Sequence, residues 1–318
     1  MSHDLLHISD DVRDAVAEGR PVLALESTIF THGLPRPHNQ ELALETEAQV
    51  RALGVVPATI GVVNGRPTVG LSADEIAQLA NDDAAVKASL RDLPIAIGKG
   101  LSAGTTVAAT GYLAARAGIT VFSTGGLGGV HHGAETSFDE SADLGTLAGL
   151  PLVVVSAGVK SILDIGLTLE RLETLNLAIV GYGTTRYPGF YISDSGYSVD
   201  YSVDSPAEVA DIVAARDGLG ITSTLLVANP VPEADQLDPA VHDEVLAKAW
   251  AAAAEHGIVG HDTTPFLLDF ITRTTGGESM RTNIAAYANN VAVGARIAAA
   301  ISGTRATHAA DVTGKTAG

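Results

Sequence analysis

The chain contains no cysteine among its 318 residues. Disulfide cross-links and thiolate-held metal sites are therefore excluded. Aromatic residues make up only 4% of the sequence, against 34 glycines, so the interior is expected to pack small side chains and the backbone to turn often. Basic residues are scarce as well. Nineteen Lys and Arg face 37 Asp and Glu, a formal net charge of −18. Such a surface repels nucleic acid and offers no basic stripe to overcome the repulsion. An anionic ligand would need a local positive site, shielded from the global field. The opening MSHDLLHISDDVRDAV has no apolar signal-peptide core. No uninterrupted apolar run reaches the roughly 20 residues that span a bilayer. The expectation is a cytoplasmic protein with no membrane partner.

The residues that are present describe a well-buried globular chain, 46% hydrophobic and 18% charged. Apolar runs that read as strands lie at 22–25, 93–97, 119–122, 152–155, 177–180 and 223–227. Between them stand helical segments with recognisable ends. Ser9-Asp10-Asp11 opens one that stops at Gly19, and residues 39–53 form another closed by Gly54. Ser72 with Glu75, and Ser205 with Glu208, have capping-box spacing. Asn64-Gly65 is the expected type I′ turn of a hairpin. The last third reads as three helices, at 239–256, 264–275 and 278–302. Strands alternate with helices almost throughout, which predicts a single three-layer α/β/α domain over residues 1–302 with a largely parallel sheet. The small, polar segment 303–318 is expected to be a disordered tail.

The chain is organised around residues 119–166. One strand runs into Ser123-Thr124-Gly125-Gly126-Leu127-Gly128-Gly129, where the glycines let backbone N–H groups approach an anion. His131, His132 and the acidic residues Asp139, Glu140 and Asp143 follow. The next strand delivers Lys160 just past an apolar run, where burial would push an ammonium toward the neutral form that attacks carbonyl groups. An earlier strand delivers Glu26, a carboxylic acid that burial would suit to proton donation. Asp139 offers a hard oxygen ligand suited to Mg²⁺ or Mn²⁺. These residues point to a Schiff-base enzyme acting on a small anionic carbonyl compound. A competing motif is Gly100-Leu101-Ser102-Ala103-Gly104, which fits the G-x-S-x-G elbow of a serine hydrolase, with His242, His256 or His261 as base. A non-enzymatic sugar-phosphate-binding protein is a third reading.

The ordered blocks ALESTI with THGLPRP, RDLP, GTTVAAT, FSTGGLGGVH, DESADL, AGVKSILD, VANPVPE, TPFLL and the late Thr282-Asn283 resemble the pseudouridine-5′-phosphate glycosidase, or indigoidine-synthase-A-like, family. The resemblance runs from about residue 9 to 302. It implies a homotrimeric, Mn²⁺-using α/β/α enzyme that reversibly converts pseudouridine 5′-phosphate and water to uracil and ribose 5-phosphate. It further implies that Lys160 forms a covalent adduct with C1′ of the opened ribose and that Glu26 protonates the ring oxygen. Asp139 would hold the metal. Lys87 and His131 would contact the sugar phosphate, and Ser141, Ala142 and Asp143 would line the substrate. Val107 would meet it through backbone atoms and Asn283 would close the pocket. The chain departs from the family at His132, Ser193 and Ser202, where arginine occurs in other members, and at the additional Lys99. Some relatives run the same chemistry as C-glycosynthases, joining ribose 5-phosphate to an aromatic acceptor, which is the alternative function.

Overall fold

The computed structural model describes residues 5–258 and 263–315. Its strands are β1 (His7–Ile8), β2 (Val22–Leu25), β3 (Val56–Val63), β4 (Arg66–Val69), β5 (Val86–Ala88), β6 (Ala103–Thr105), β7 (Val121–Ser123), β8 (Val153–Ser156), β9 (Ala178–Tyr182), β10 (Ser202–Val203) and β11 (Leu225–Ala228). The helices of the first half are α1 (Asp10–Ala17), α2 (Thr28–His32), α3 (His38–Ala52), α4 (Ala73–Asn81), α5 (Leu93–Lys99) and α6 (Val107–Arg116). Those of the second half are α7 (Ala134–Ser137), α8 (Ala142–Leu147), α9 (Ile165–Thr174), α10 (Pro206–Gly218), α11 (Pro239–Glu255), α12 (Thr263–Thr274) and α13 (Glu278–Lys315).

The sheet runs β1-β4-β3-β2-β7-β8-β11-β9-β10, with β6 pairing β3 and β5 at its margin. All pairs from β3 through β2, β7, β8, β11 and β9 to β10 are parallel. The antiparallel pairs are β3 with β4 and β3 with β6. Side-chain alternation sends successive residues of one strand to opposite layers. Ala24, Phe122, Val154 and Leu226 pack with α1, α6, α8 and α9 on one face. Leu23, Leu25, Val153, Val155, Leu225 and Val227 pack with α3, α10 and α13 on the other. Both faces of the parallel strands are thus covered, which is why they read as continuous apolar runs. The predicted single-domain three-layer architecture is what the chain forms.

Two elements differ from the sequence reading. Residues 93–97 are helical, not extended: they belong to α5, where Pro94 sits in the first turn and Gly100 closes the end at φ +67°. Five apolar residues fit a short helix as well as a strand. Here only Leu93 and Ala96 are buried, the spacing of one helical face, and the cap residues decide the outcome. The strand falls instead at β6, inside the glycine-rich segment that follows. The second difference is at the C-terminus. Helix α13 continues to Lys315 rather than ending at Ser302; residues 303–315 contain no proline to stop it. Residues 316–318 of the expected tail lie outside the described residues.

By length and composition α13 over Glu278–Ala306 could cross a membrane. It lies instead against β2, β7 and β8, with Tyr287, Val291, Val293, Ile297 and Ile301 buried in one core cluster. Polar side chains fix its register: Asn290 Nδ2 donates to the carbonyls of Thr124 and Gly125, and Asn229 Nδ2 donates to Asn290 Oδ1.

Candidate active site

Because β2, β7, β8 and β11 are parallel, their carboxyl ends open on one side of the sheet, the usual ligand side of such folds. Glu26 follows β2, Thr124 follows β7, and Lys160 lies four residues past β8. The Thr124 hydroxyl donates a short hydrogen bond to Glu26 Oε1. Burial raises the Glu26 carboxyl above the ordinary glutamate range, and this outweighs the opposing pull of Lys160, the Thr124 bond and Lys87. Asp143 adds to the upward push. The result is a carboxyl that holds its proton more tightly than an ordinary glutamate.

Lys87 reaches the same place from β5, whose register pairs it with Gly104 of β6. The residue as a whole is exposed, yet its ammonium is lowered by desolvation first and by the charge of Lys160 second, while Glu26 and Asp143 pull it back up. Glu26, Lys87, Asp143 and Lys160, four residues scattered over the sequence, therefore share one electrostatic site. Neither lysine takes a carboxylate partner among the described residues. Two lysine side chains are left to meet a ligand.

The glycine-rich turn is built differently from the anion cradle expected of it. Leu127 N–H donates to Gly158 O at 2.9 Å and Lys160 N–H donates to Leu127 O at 3.1 Å, so the turn prolongs the sheet and sets the start of the Lys160 side chain. Gly128 N–H does hold an anion, but the anion is the protein's own: Asp143 Oδ2, at 2.9 Å. Asp143 Oδ1 accepts from Ala108 N–H in the first turn of α6, also at 2.9 Å. One buried carboxylate thereby ties the turn to a helix N-terminus. A Cβ on Gly128 would lie 2.1 Å from Ser141 Oγ and 2.7 Å from Asp143 Oδ2, which explains the glycine. Ser141 caps α8, accepting from Asp143 N–H at 3.2 Å, and Ala142 begins that helix. Val107 begins α6 beside Ala108. Asn283 Oδ1 approaches the turn from α13, 3.3 Å from where a Cβ on Gly125 would be.

His131 and Asp139 form a second group. Their side chains approach to 4.0 Å, Nδ1 to Oδ2, and His131 N–H donates to Asp139 O at 3.0 Å. Burial lowers the imidazole below its ordinary value, against the carboxylate and with the help of His132, which keeps the ring neutral and able to bind a cation. Among the described residues no group of three or more Asp, Glu or His side chains converges on one point. A single carboxylate beside a neutral imidazole fits a hydrated Mg²⁺ or Mn²⁺ that takes its other ligands from water and substrate, and does not fit a closed protein cage. His132 turns outward, 3.6 Å from Asp164 and edge-on to Trp250 at 5.0 Å between ring centres.

The hydrolase motif has no such company. Ser102 Oγ accepts from Asn64 N–H at 3.1 Å and lies 3.5 Å from Asn64 Oδ1, serving the β3–β4 hairpin. His242 on α11 is bonded to Asp243, His256 stacks near Phe266, and His261 lies outside the described residues. No described histidine partners Ser102.

Three contributors were not singled out from sequence. Thr124 is the donor to Glu26, and its place was readable only from the parallel pairing of β7 with β2. Residues 183–201 form an ordered strap whose Phe190 N–H donates to Ala157 O at 3.0 Å. Phe190 is buried in a left-handed conformation at φ +65°, and its ring lies where a Cβ on Gly126 would be only 2.5 Å away. The third, the hydroxyl cluster around Ser27 and Thr105, is described below.

Residues 11–300 match the sequence model of the family described as indigoidine synthase A like protein. The chain is 64% identical over 296 residues to a pseudouridine-5′-phosphate glycosidase of Saccharopolyspora erythraea, covering 93% of this chain and 98% of that one. Identity to the Streptomyces griseus enzyme of the same name is 54%, over 94% of this chain and 93% of the other. Among solved structures, the fold superposes on the prealnumycin C-glycosynthase AlnA, determined with ribulose 5-phosphate, with a TM-score of 0.89 at 36% identity, covering 96% and 99% of the two chains. An indigoidine synthase A-like protein of Thermotoga maritima gives 0.86 at 34%, covering 95% and 99%.

Proposed function

The chain belongs to the indigoidine synthase A-like family, and on that footing we propose that it is a C-glycosidase acting on pseudouridine 5′-phosphate. The reaction takes up water and gives uracil and ribose 5-phosphate, reversibly. The observation that carries the reading is the shared field of Glu26, Lys160 and Lys87 at the strand ends: a carboxyl whose hold on its proton burial strengthens, beside two lysines with no close ion-pair partner among the described residues. High identity to glycosidases over nearly the whole chain supports the substrate.

A C–C glycosidic bond has no heteroatom leaving group, so protonation alone does not break it. In the proposed sequence Glu26 protonates the ribose ring oxygen, which leaves C1′ as a hydroxyl. The Glu26 carboxylate so formed takes a proton from the Lys160 ammonium, and the freed amine forms a C–N bond to C1′. The adduct nitrogen then carries the proton that the nucleobase carbon takes up. The C1′–C5 bond then breaks, the nucleobase carbon takes up a proton, and the sugar remains on Lys160 as an iminium that water hydrolyses. Lys87, with its ammonium near this point, opposes the charge of the phosphate. Asp139, with His131 beside it, would hold Mn²⁺, which would supply charge neutralisation near the sugar phosphate. The alternative use of the same machinery, C-ribosylation of an aromatic acceptor, is favoured by the likeness to AlnA, whose sequence is the more distant.

The test is one set of incubations with ribose 5-phosphate and either uracil or a naphthoquinone-type acceptor, with and without chelator, followed by mass spectrometry. Pseudouridine 5′-phosphate should form, chelation should stop it, and Mn²⁺ should restore it. Borohydride should trap the sugar on Lys160, and Lys160→Ala should abolish both trapping and turnover. Reaction with the aromatic acceptor alone would replace the glycosidase reading. Trapping on another residue would overturn the lysine assignment, and full activity in chelator would remove the metal.

A further inference from the structure

Behind Glu26 lies a cluster of hydroxyls that touches no reacting group. Ser27 Oγ accepts from Thr105 N–H at 2.8 Å, and Thr28 Oγ1 donates to Thr105 O at 2.7 Å. Both polar groups flanking Thr105 are thus held by the two residues that directly follow Glu26. Thr105 Oγ1 donates to Ile60 O at 2.7 Å, and the Thr110 hydroxyl stands 2.8 Å from it. Ser27, Thr105 and Thr110 are each fully buried at 0% exposure, so these bonds do not compete with water. Thr31 Oγ1 closes the arrangement by donating to Ser27 O at 2.9 Å.

What this cluster joins gives it meaning. Thr105 ends β6, and the preceding residue, Gly104, is in register with Lys87. Thr106, which follows, stands at the N-terminus of α6 without a side-chain capping bond, and Val107 and the Asp143-bound Ala108 come next. Close packing leaves the joint little play. A Cβ on Gly104 would lie 2.0 Å from Thr31 Oγ1, and one on Gly61 would lie 3.2 Å from Ser27 Oγ.

We propose that Ser27 and Thr105 are positioning residues which set the place of Glu26 relative to Lys87 and the α6 N-terminus: Ser27 and Thr28 bond the Thr105 backbone, and the Thr105 hydroxyl anchors that backbone to Ile60 O. The inference rests on the reading above for what Glu26 does. The clamp matters because an acid displaced by about 1 Å from its target can lose on the order of a hundredfold in rate.

The experiment compares Ser27→Ala, Thr105→Val and Thr105→Ser, each checked for folding by circular dichroism. Turnover of pseudouridine 5′-phosphate is measured along with a ¹³C titration of the Glu26 carboxyl. In Ser27→Ala and Thr105→Val, kcat should fall at least tenfold with KM changed by less than threefold, on the scale of misplacement given above. The Glu26 titration should shift down toward an ordinary glutamate as water reaches it. Thr105→Ser keeps the hydroxyl and should restore both. Should Thr105→Val fail to fold, Ser27→Ala decides alone. Folded variants with kcat within about twofold of the parent, or with a loss confined to KM, overturn the clamp. If the parent enzyme itself does not turn over pseudouridine 5′-phosphate, the functional reading fails. The carboxyl titration still decides the clamp, and an unmoved Glu26 in Ser27→Ala rejects it.

Discussion

A glutamate that must donate a proton near neutral pH has to be kept from ionising. At Glu26, the acid proposed here, burial raises the carboxyl in that direction against the combined pull of Lys160, Thr124 and Lys87. The same burial has a consequence for stability. Because the folded carboxyl binds its proton more tightly than the unfolded one, its contribution is fully present below the ordinary glutamate value of about 4.3 and is lost as pH rises through the raised folded value. Glu26→Gln carries no charge to desolvate, and its side-chain oxygen can still accept from Thr124. The variant should therefore be inactive yet no less stable than the parent. Its advantage in melting temperature should be near zero at about pH 4, below the window just named, and grow as pH rises through that window. Thermal melts of both proteins across that range check this. An advantage that shrinks with rising pH would mean that Glu26 is stabilised as a carboxylate, and the acid assignment would fall with it.

At the scale of elements, the glycine-rich turn shows what the sequence disclosed and what it hid. The strands β2, β7 and β8 and the residues at their ends were legible, because buried parallel strands are continuous apolar runs and their ends are where the apolar pattern stops. The roles proposed for Glu26, Lys160 and Asp139 rest on those ends and on the family blocks. The partner of the turn was not legible. Asp143 lies fifteen residues beyond Gly128 and reads as a helix first-turn acid, yet its two oxygens join Gly128 to Ala108, a pairing fixed only when α6 and α8 pack together. The Phe190 strap was hidden for a related reason: its left-handed backbone is imposed by tertiary contacts and has no periodic signature. The short helix α5 was misread because an apolar run of five residues does not distinguish the two periods. The turn also makes a prediction. Gly128→Ala places a methyl group against Ser141 and Asp143 and must push that carboxylate off one of its N–H partners. Denaturant unfolding should show a loss of about 1–3 kcal/mol, the usual cost of overpacking, and turnover should drop at least tenfold in the folded fraction. Unchanged activity in a folded Gly128→Ala would show that the Asp143 bridge does not serve the site.

For the whole molecule the relevant quantity is charge. The formal net charge is −18, and the proposed substrate carries a phosphate, so long-range electrostatics oppose the encounter while Lys87 and Lys160 favour the bound state at short range. The two effects separate by distance. At 0.01 M salt the screening length is about 30 Å, large enough for most of the acidic surface to act on an approaching anion, and at 0.1 M it is about 10 Å. The lysine pair acts over a few ångströms where Lys87 is partly desolvated, and is screened far less. Raising the ionic strength from about 0.01 to 0.1 M should therefore increase kcat/KM several-fold by relieving repulsion during approach. Because chemistry follows binding, kcat should stay level. Initial-rate measurements with Mn²⁺ held saturating distinguish this from the opposite case. A kcat/KM that falls steadily with salt over that range would mean that the local lysine field governs approach as well as binding. In that case the surface charge is arranged away from the mouth of the site.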